Sequence, residues 1–178
     1  MIVVDANVIV RHLTDPVTPH DESRAQQATA FFEALQAGVV EITTSEAVLA
    51  EVVYILWHPR HYGAPRSVVV DGLSSLLRPR GCRMPTKDIC LHALAVWETS
   101  PKLSFPDALG AAYSELRGHE LATFDVALAR TPGVVSYAFA DPTGGGERGA
   151  TCAPLVGRPS QPRPTRPGAE PPERRSAG

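Results

Sequence analysis

The chain has 178 residues, of which 43% are apolar, and a formal net charge of −2; that suits one domain with a real core plus a remainder. No stretch approaches the roughly 20 apolar residues of a membrane span, and the start Met1-Ile2-Val3-Val4-Asp5 meets a charge at once, unlike a secretory signal. Six Arg against three Glu in 143–178 leave 11 basic and 16 acidic residues in 1–142, a net of −5, whereas a nucleic-acid binder usually carries a basic surplus.

Ile2-Val3-Val4 is a short apolar run of the kind that forms a buried parallel strand. Residues 7–13 read as a short helix. A longer helix follows over 21–37, with Asp21 as its N-cap and Gly38 as its stop. Residues 39–43 form a second strand. Ser45 caps a helix reaching Trp57 and ended by Pro59; Pro65 opens another, ended by Pro79. A third strand covers 82–84. Thr86 caps a helix to Thr99, and Pro106 sits in the first turn of a helix that stops at Gly118. Residues 121–123 and 134–137 are the fourth and fifth strands. Strands separated by helices imply an α/β fold, a central parallel sheet of about five strands covered on both faces. Ligands of such sheets bind beyond the carboxyl ends of the strands.

Composition breaks after Asp141-Pro142. Proline and glycine supply 14 of the last 36 residues, so 1–142 reads as the domain and 143–178 as a disordered tail. Cys82, Cys90 and Cys152 show no CxxC spacing and cannot all pair, which points to a reduced, cytoplasmic setting. Cys82 and Cys90 read as buried apolar fillers.

Four acids stand out. Asp5 follows the first strand and Asp125 the fourth, both at the carboxyl edge of the sheet. Asp107 lies in the first turn of its helix, and Glu51 sits mid-helix among apolar neighbours, where a charge is costly unless paired or bound to a cation. Each has a purely structural reading: Asp5 and Asp125 as helix caps, Asp107 as a partner of the helix dipole, Glu51 in an ion pair. Their joint occurrence favours one oxygen-rich site, which suits Mg²⁺ or Mn²⁺. Glu46 lies about 140° around the helix from Glu51 and reads as a dipole partner next to Ser45. Asn7 and Thr123 are candidates for supporting the site rather than forming it. Arg11 and His12 could touch the phosphates of a nucleic acid, but solvated surface is the favoured reading, and His58 and His61 lack a third ligand.

Val3-Val4-Asp5-Ala6-Asn7-Val8-Ile9, Val48-Leu49-Ala50-Glu51-Val52-Val53-Tyr54, Asp107-Ala108-Leu109-Gly110-Ala111-Ala112 and Thr123-Phe124-Asp125 resemble, in order and spacing, the four acidic motifs of PIN-domain ribonucleases. The opening and length are most similar to the VapC toxins of toxin–antitoxin pairs. The resemblance implies a three-layer α/β/α fold and RNA cleavage dependent on Mg²⁺ or Mn²⁺. It also implies Asp5, Glu51, Asp107 and Asp125 as catalytic metal ligands, a homodimer and a cognate antitoxin protein. Two other readings stand beside it: a non-catalytic PIN-like module that binds RNA or protein, and a haloacid-dehalogenase-type phosphatase. The second wants an aspartate where Asn7 stands and leaves Glu51 unexplained.

Overall fold

A computed structural model describes residues 1–139 of the chain; the tail expected over 143–178 lies outside them. In chain order the elements are β1 (Ile2–Val3), α1 (Ala6–Leu13), α2 (Pro19–Gln36), β2 (Ile42–Thr43), α3 (Glu46–Trp57) and α4 (Arg66–Leu77). They continue with α5 (Lys87–Thr99), α6 (Phe105–Arg117), β3 (Glu120–Leu121), α7 (Val126–Ala129) and β4 (Val135–Ser136). All five expected strand segments carry parallel pairing, but in fragments. β1 pairs with β2, and Ile42 bridges to Cys82 on its other side. β3 pairs with β4 as a separate ladder. The expected single sheet is thus two two-stranded ladders among the described residues. The reason is local. Asp5 and Ser45 are already helix N-caps, two residues after β1 and β2 end, so little extended chain is left to carry a longer ladder.

Two further expectations change. The first strand is not buried throughout: Val4 is 3% exposed, Val3 80%. Period-2 alternation sends only one of the two inward. The long helix begins earlier than expected, because Thr18, not Asp21, is its N-cap. The Thr18 hydroxyl accepts from the Asp21 backbone N–H at 3.2 Å and donates to the Asp21 carboxylate at 2.9 Å, with Pro19 in the first turn. Its far end does stop as read, with Gly38 at φ +73°, a conformation that favours glycine.

The core gathers one stripe from each helix. On α3, Leu49, Val52, Val53 and Leu56 are buried at the three- and four-residue spacing of a single face. On α5, Ile89, Cys90, Ala93, Leu94 and Trp97 do the same, against Ala108 and Ala112 of α6. Small alanines let α5 and α6 pack closely. Trp57 and Trp97 meet edge to face, with ring centroids 6.0 Å apart. The Arg66 guanidinium lies over both, 5.1 Å from the Trp57 ring and 4.4 Å from the Trp97 ring. It also donates to the carbonyls of Trp97, Ser100, Pro101 and Leu103.

Cys82 and Cys90 are fully buried, as expected. Burial pushes both thiols up, Cys90 to about 12, with the Glu46 charge adding to it. Native protein at pH 8 should therefore leave both unlabelled by iodoacetamide, since the thiolate is the reactive form. Peptide mass mapping should show labelling only after denaturant is added. Arg66→Met keeps the stem and removes the charge, orphaning four carbonyls. It should cost about 2–3 kcal/mol in urea unfolding; a loss near zero would show that water replaces the guanidinium without penalty.

Candidate functional site

β1 delivers Asp5 to the start of α1 in an extended conformation, φ −91° and ψ 159°. Although Asp5 occupies the N-cap position, its side chain makes no capping hydrogen bond. Only its backbone carbonyl serves the helix, accepting from Val8 N–H at 3.2 Å. The carboxylate is exposed and has no hydrogen-bond or ion-pair partner among the described residues. Glu51 reaches the same place from α3. Its core-facing neighbours Leu49, Val52 and Val53 take the opposite side of the helix, so Glu51 points outward and is exposed. The cost expected for a charge in an apolar stretch is thereby avoided. Asp5 and Glu51 line one cleft of about 250 Å³, together with Asn7, Arg11, Ile55 and Tyr62.

Asp107 and Asp125 are held differently and do not line that cleft. Asp107 is the third residue of a capping box on α6. Its Oδ2 accepts from the Ser104 backbone N–H at 3.0 Å and the Ser104 hydroxyl at 2.6 Å, while the Asp107 N–H returns to that hydroxyl at 3.3 Å. Asp125 caps α7, its Oδ1 accepting from Ala127 N–H at 2.7 Å and Leu128 N–H at 3.2 Å. Thr123 supports it, accepting from the Asp125 N–H at 3.0 Å. In both acids one oxygen is committed to the cap and the other has no partner among the described residues. The structure brings Asp5 and Glu51 together. Among the described residues no three His, Cys, Asp or Glu side chains form a group able to hold a metal ion.

Glu46 stands apart from the cleft, as its helical position implied. It accepts from the Tyr113 hydroxyl at 2.6 Å, and that bond raises the pKa of Tyr113. Arg11 and His12, read together as solvated surface, part company. His12 packs on Phe32 with ring centroids 4.7 Å apart and pairs with Thr29 at 3.3 Å; burial lowers its pKa. Arg11 lines the cleft and is anchored by Asp21 at 2.5 Å. Its position four residues after Asn7 on α1 was the available signal, since residues so spaced share a helix face. Ser104 was also legible, as the first residue of Ser-x-x-Asp before an apolar run. Nothing in the sequence marked Tyr62, which arrives from the loop between α3 and α4.

Carboxylate oxygens are the donors Mg²⁺ and Mn²⁺ prefer, and Mg²⁺ is commonly held by one or two carboxylates with the remaining sites left to water and phosphate. The uncommitted Asp5–Glu51 pair fits that requirement. Among the described residues no helix is long and apolar enough to cross a membrane.

Comparison with curated proteins returns no match. The family model of the PIN domain matches residues 2–134. That span contains all four acidic motifs and every element up to the last helical turn. PIN domains are three-layer α/β/α folds of nuclease type, acting on RNA or DNA and typically with divalent metals. With three quarters of its length inside that match, the chain belongs to the PIN domain family.

Proposed function

We propose that the chain is a Mg²⁺- or Mn²⁺-dependent endoribonuclease, with Asp5, Glu51, Asp107 and Asp125 as its catalytic metal ligands. The observation that carries the reading is Asp5. It stands at a helix N-cap, where an aspartate ordinarily bonds the first N–H groups, yet its carboxylate is left uncommitted beside Glu51. Asp5 and Glu51 would hold the ion in the cleft. Asp107 and Asp125, which do not line the cleft, would complete the donor set through the oxygen that their caps leave over. Thr123 fixes the backbone of Asp125, and Asn7 lies at the cleft to orient water or phosphate. When bound, the divalent ion supplies Lewis acidity toward water and the scissile phosphate. An uncommitted carboxylate oxygen also accepts the proton of the attacking water. A divalent cation offsets only part of the net −5 over 1–142, but it does so at the acids themselves, where the scissile phosphate would meet them.

One observation favours a second reading, a non-catalytic PIN-like module. Two of the four acids serve helix caps, and no three-ligand group forms among the described residues. The two readings separate on metal. For the nuclease, Mn²⁺ at a hundred times its Kd should stabilise the fold by about 2.7 kcal/mol, EDTA should reverse the shift, and the module should show neither. Asp5→Asn, nearly isosteric, should lower Mg²⁺-dependent cleavage of single-stranded RNA by roughly a hundredfold or more with an unchanged melting temperature. Full activity in that variant would refute the site.

Likeness of the opening and length to VapC toxins supports a finer proposal. The chain is the toxin of a cytoplasmic toxin–antitoxin pair, a homodimer blocked by a small cognate protein. A basic antitoxin side chain among the acids would compensate their charge as the metal does, so excess Mn²⁺ should weaken inhibition. Purified chain that stays monomeric, and is equally active with every co-expressed neighbour, would remove the toxin role and leave the nuclease standing.

A further inference from the structure

The acid cleft does not end at Asp5 and Glu51. Two of its lining residues, Asn7 and Arg11, also line a second hollow of about 440 Å³ between α1 and α2. That volume is within the range of small-ligand sites. The two spaces therefore adjoin along the face of α1 that carries both residues. On the α2 side the groove is lined by Arg24, Gln27 and Phe31. Their spacing of three and then four residues puts them in one row on the helix.

The chemistry of this row differs from that of the rest of the body. Residues 1–142 carry five more acids than bases, yet the charged side chains lining the groove are both arginines. Arg11 is held in place by Asp21, which Thr18 fixes in turn. Arg24 is exposed and has no ion pair among the described residues. Asn7 and Gln27 offer amide groups that both donate and accept, and neither side chain has a hydrogen-bond partner among the described residues. Phe31 is half-buried and edge-on to the fully buried Phe32, with centroids 5.3 Å apart, so its ring is fixed at the groove wall. Guanidinium groups for phosphates, an aromatic ring for a base and amides for a sugar hydroxyl are what a single-stranded nucleic acid requires of a protein groove.

We infer that the α1–α2 groove binds the single-stranded RNA next to the scissile phosphate, Arg11 and Arg24 holding backbone phosphates and Phe31 stacking an unpaired base. The inference rests on the nuclease reading and names where that site takes its substrate. It also accounts for how an acidic body retains a polyanion away from the metal. A protein segment is the competing occupant, but the cleft has a second neighbour better suited to it. On the far side of Tyr62 lies a hollow walled by Leu13, Val17, Leu56 and Val68, without the arginine pair.

The test is binding of a fluorescent 12-nucleotide single-stranded RNA to the full chain, with EDTA present to stop cleavage, followed by anisotropy across a salt series. Loss of one phosphate contact lowers the slope of log K against log salt by about 0.7. Arg24→Gln should show that reduction and bind about fourfold more weakly at 0.15 M salt. Arg24→Lys should restore the slope. Phe31→Leu should weaken binding about fivefold or more with the slope unchanged, because stacking releases no counterions. Melting temperatures of all three check the fold. No measurable binding by the unaltered chain, or an Arg24→Gln variant with unaltered affinity and slope, overturns the inference. So does an Arg24→Gln variant that keeps its RNA affinity but loses a co-purifying protein. Asp5→Asn separates this from the parent reading: loss of cleavage in Asp5→Asn with no effect of Arg24→Gln sinks the groove and spares the nuclease. Full cleavage by Asp5→Asn with the Arg24 effects intact sinks the Asp5 metal site and spares the groove.

Discussion

Arg66 ties together α3, α5 and the turn between α5 and α6. It is the first residue of α4, where its own helix dipole disfavours a cation. That cost is offset because its guanidinium reaches across to the carboxyl end of α5, where unpaired carbonyls gather. There it meets four carbonyl oxygens and the faces of Trp57 and Trp97. The consequence runs beyond the core. The last of those carbonyls belongs to Leu103, one residue before Ser104, so the pinned turn is the one that sets up the capping box of Asp107. One candidate ligand thus depends for its position on a cation that does not itself line the acid cleft.

The four acids illustrate how the same residue type is assigned different work by its surroundings. Asp107 and Asp125 each spend one oxygen on helix N–H or hydroxyl donors. That answers their structural reading without excluding the chemical one, because a carboxylate has a second oxygen to offer. Asp5 spends none. Glu51 escapes the penalty of an apolar helix by facing out, and Glu46, five residues earlier, is drawn the other way by the Tyr113 hydroxyl. Among the described residues the cap reading holds for Asp107 and Asp125, each with one oxygen left over, whereas Asp5 makes no side-chain cap and Glu51 no ion pair.

Charge is divided in the same local fashion. A body with a surplus of acids still presents a row in which both charges are arginines, joined to the cleft through Asn7 and Arg11. Net charge averages over this and hides it, since fields at a surface are set by the nearest few groups and are screened within about 10 Å. The anchoring of Arg11 by Asp21 is equally local: an acid outside the cleft lining holds a base at its edge.

Much of this was present in the amino-acid order. Helical periodicity located every long helix. The ordered acidic motifs marked the family and the four candidate ligands, and the spacing of Glu46 and Glu51 already placed them on different faces. These features are local: they follow from 3.6-residue periodicity, capping chemistry and the cost of burying charge, all of which act over a few residues. Tertiary structure alone decided the rest. It split the expected five-stranded sheet into two short ladders, left Val3 exposed, brought Tyr62 to the cleft and separated Arg11 from its neighbour His12. It also made Arg66 the tie between the tryptophans and the α5–α6 turn. Each of these depends on contacts between segments tens of residues apart, and such contacts are set by how whole faces pack, which no window of the sequence contains.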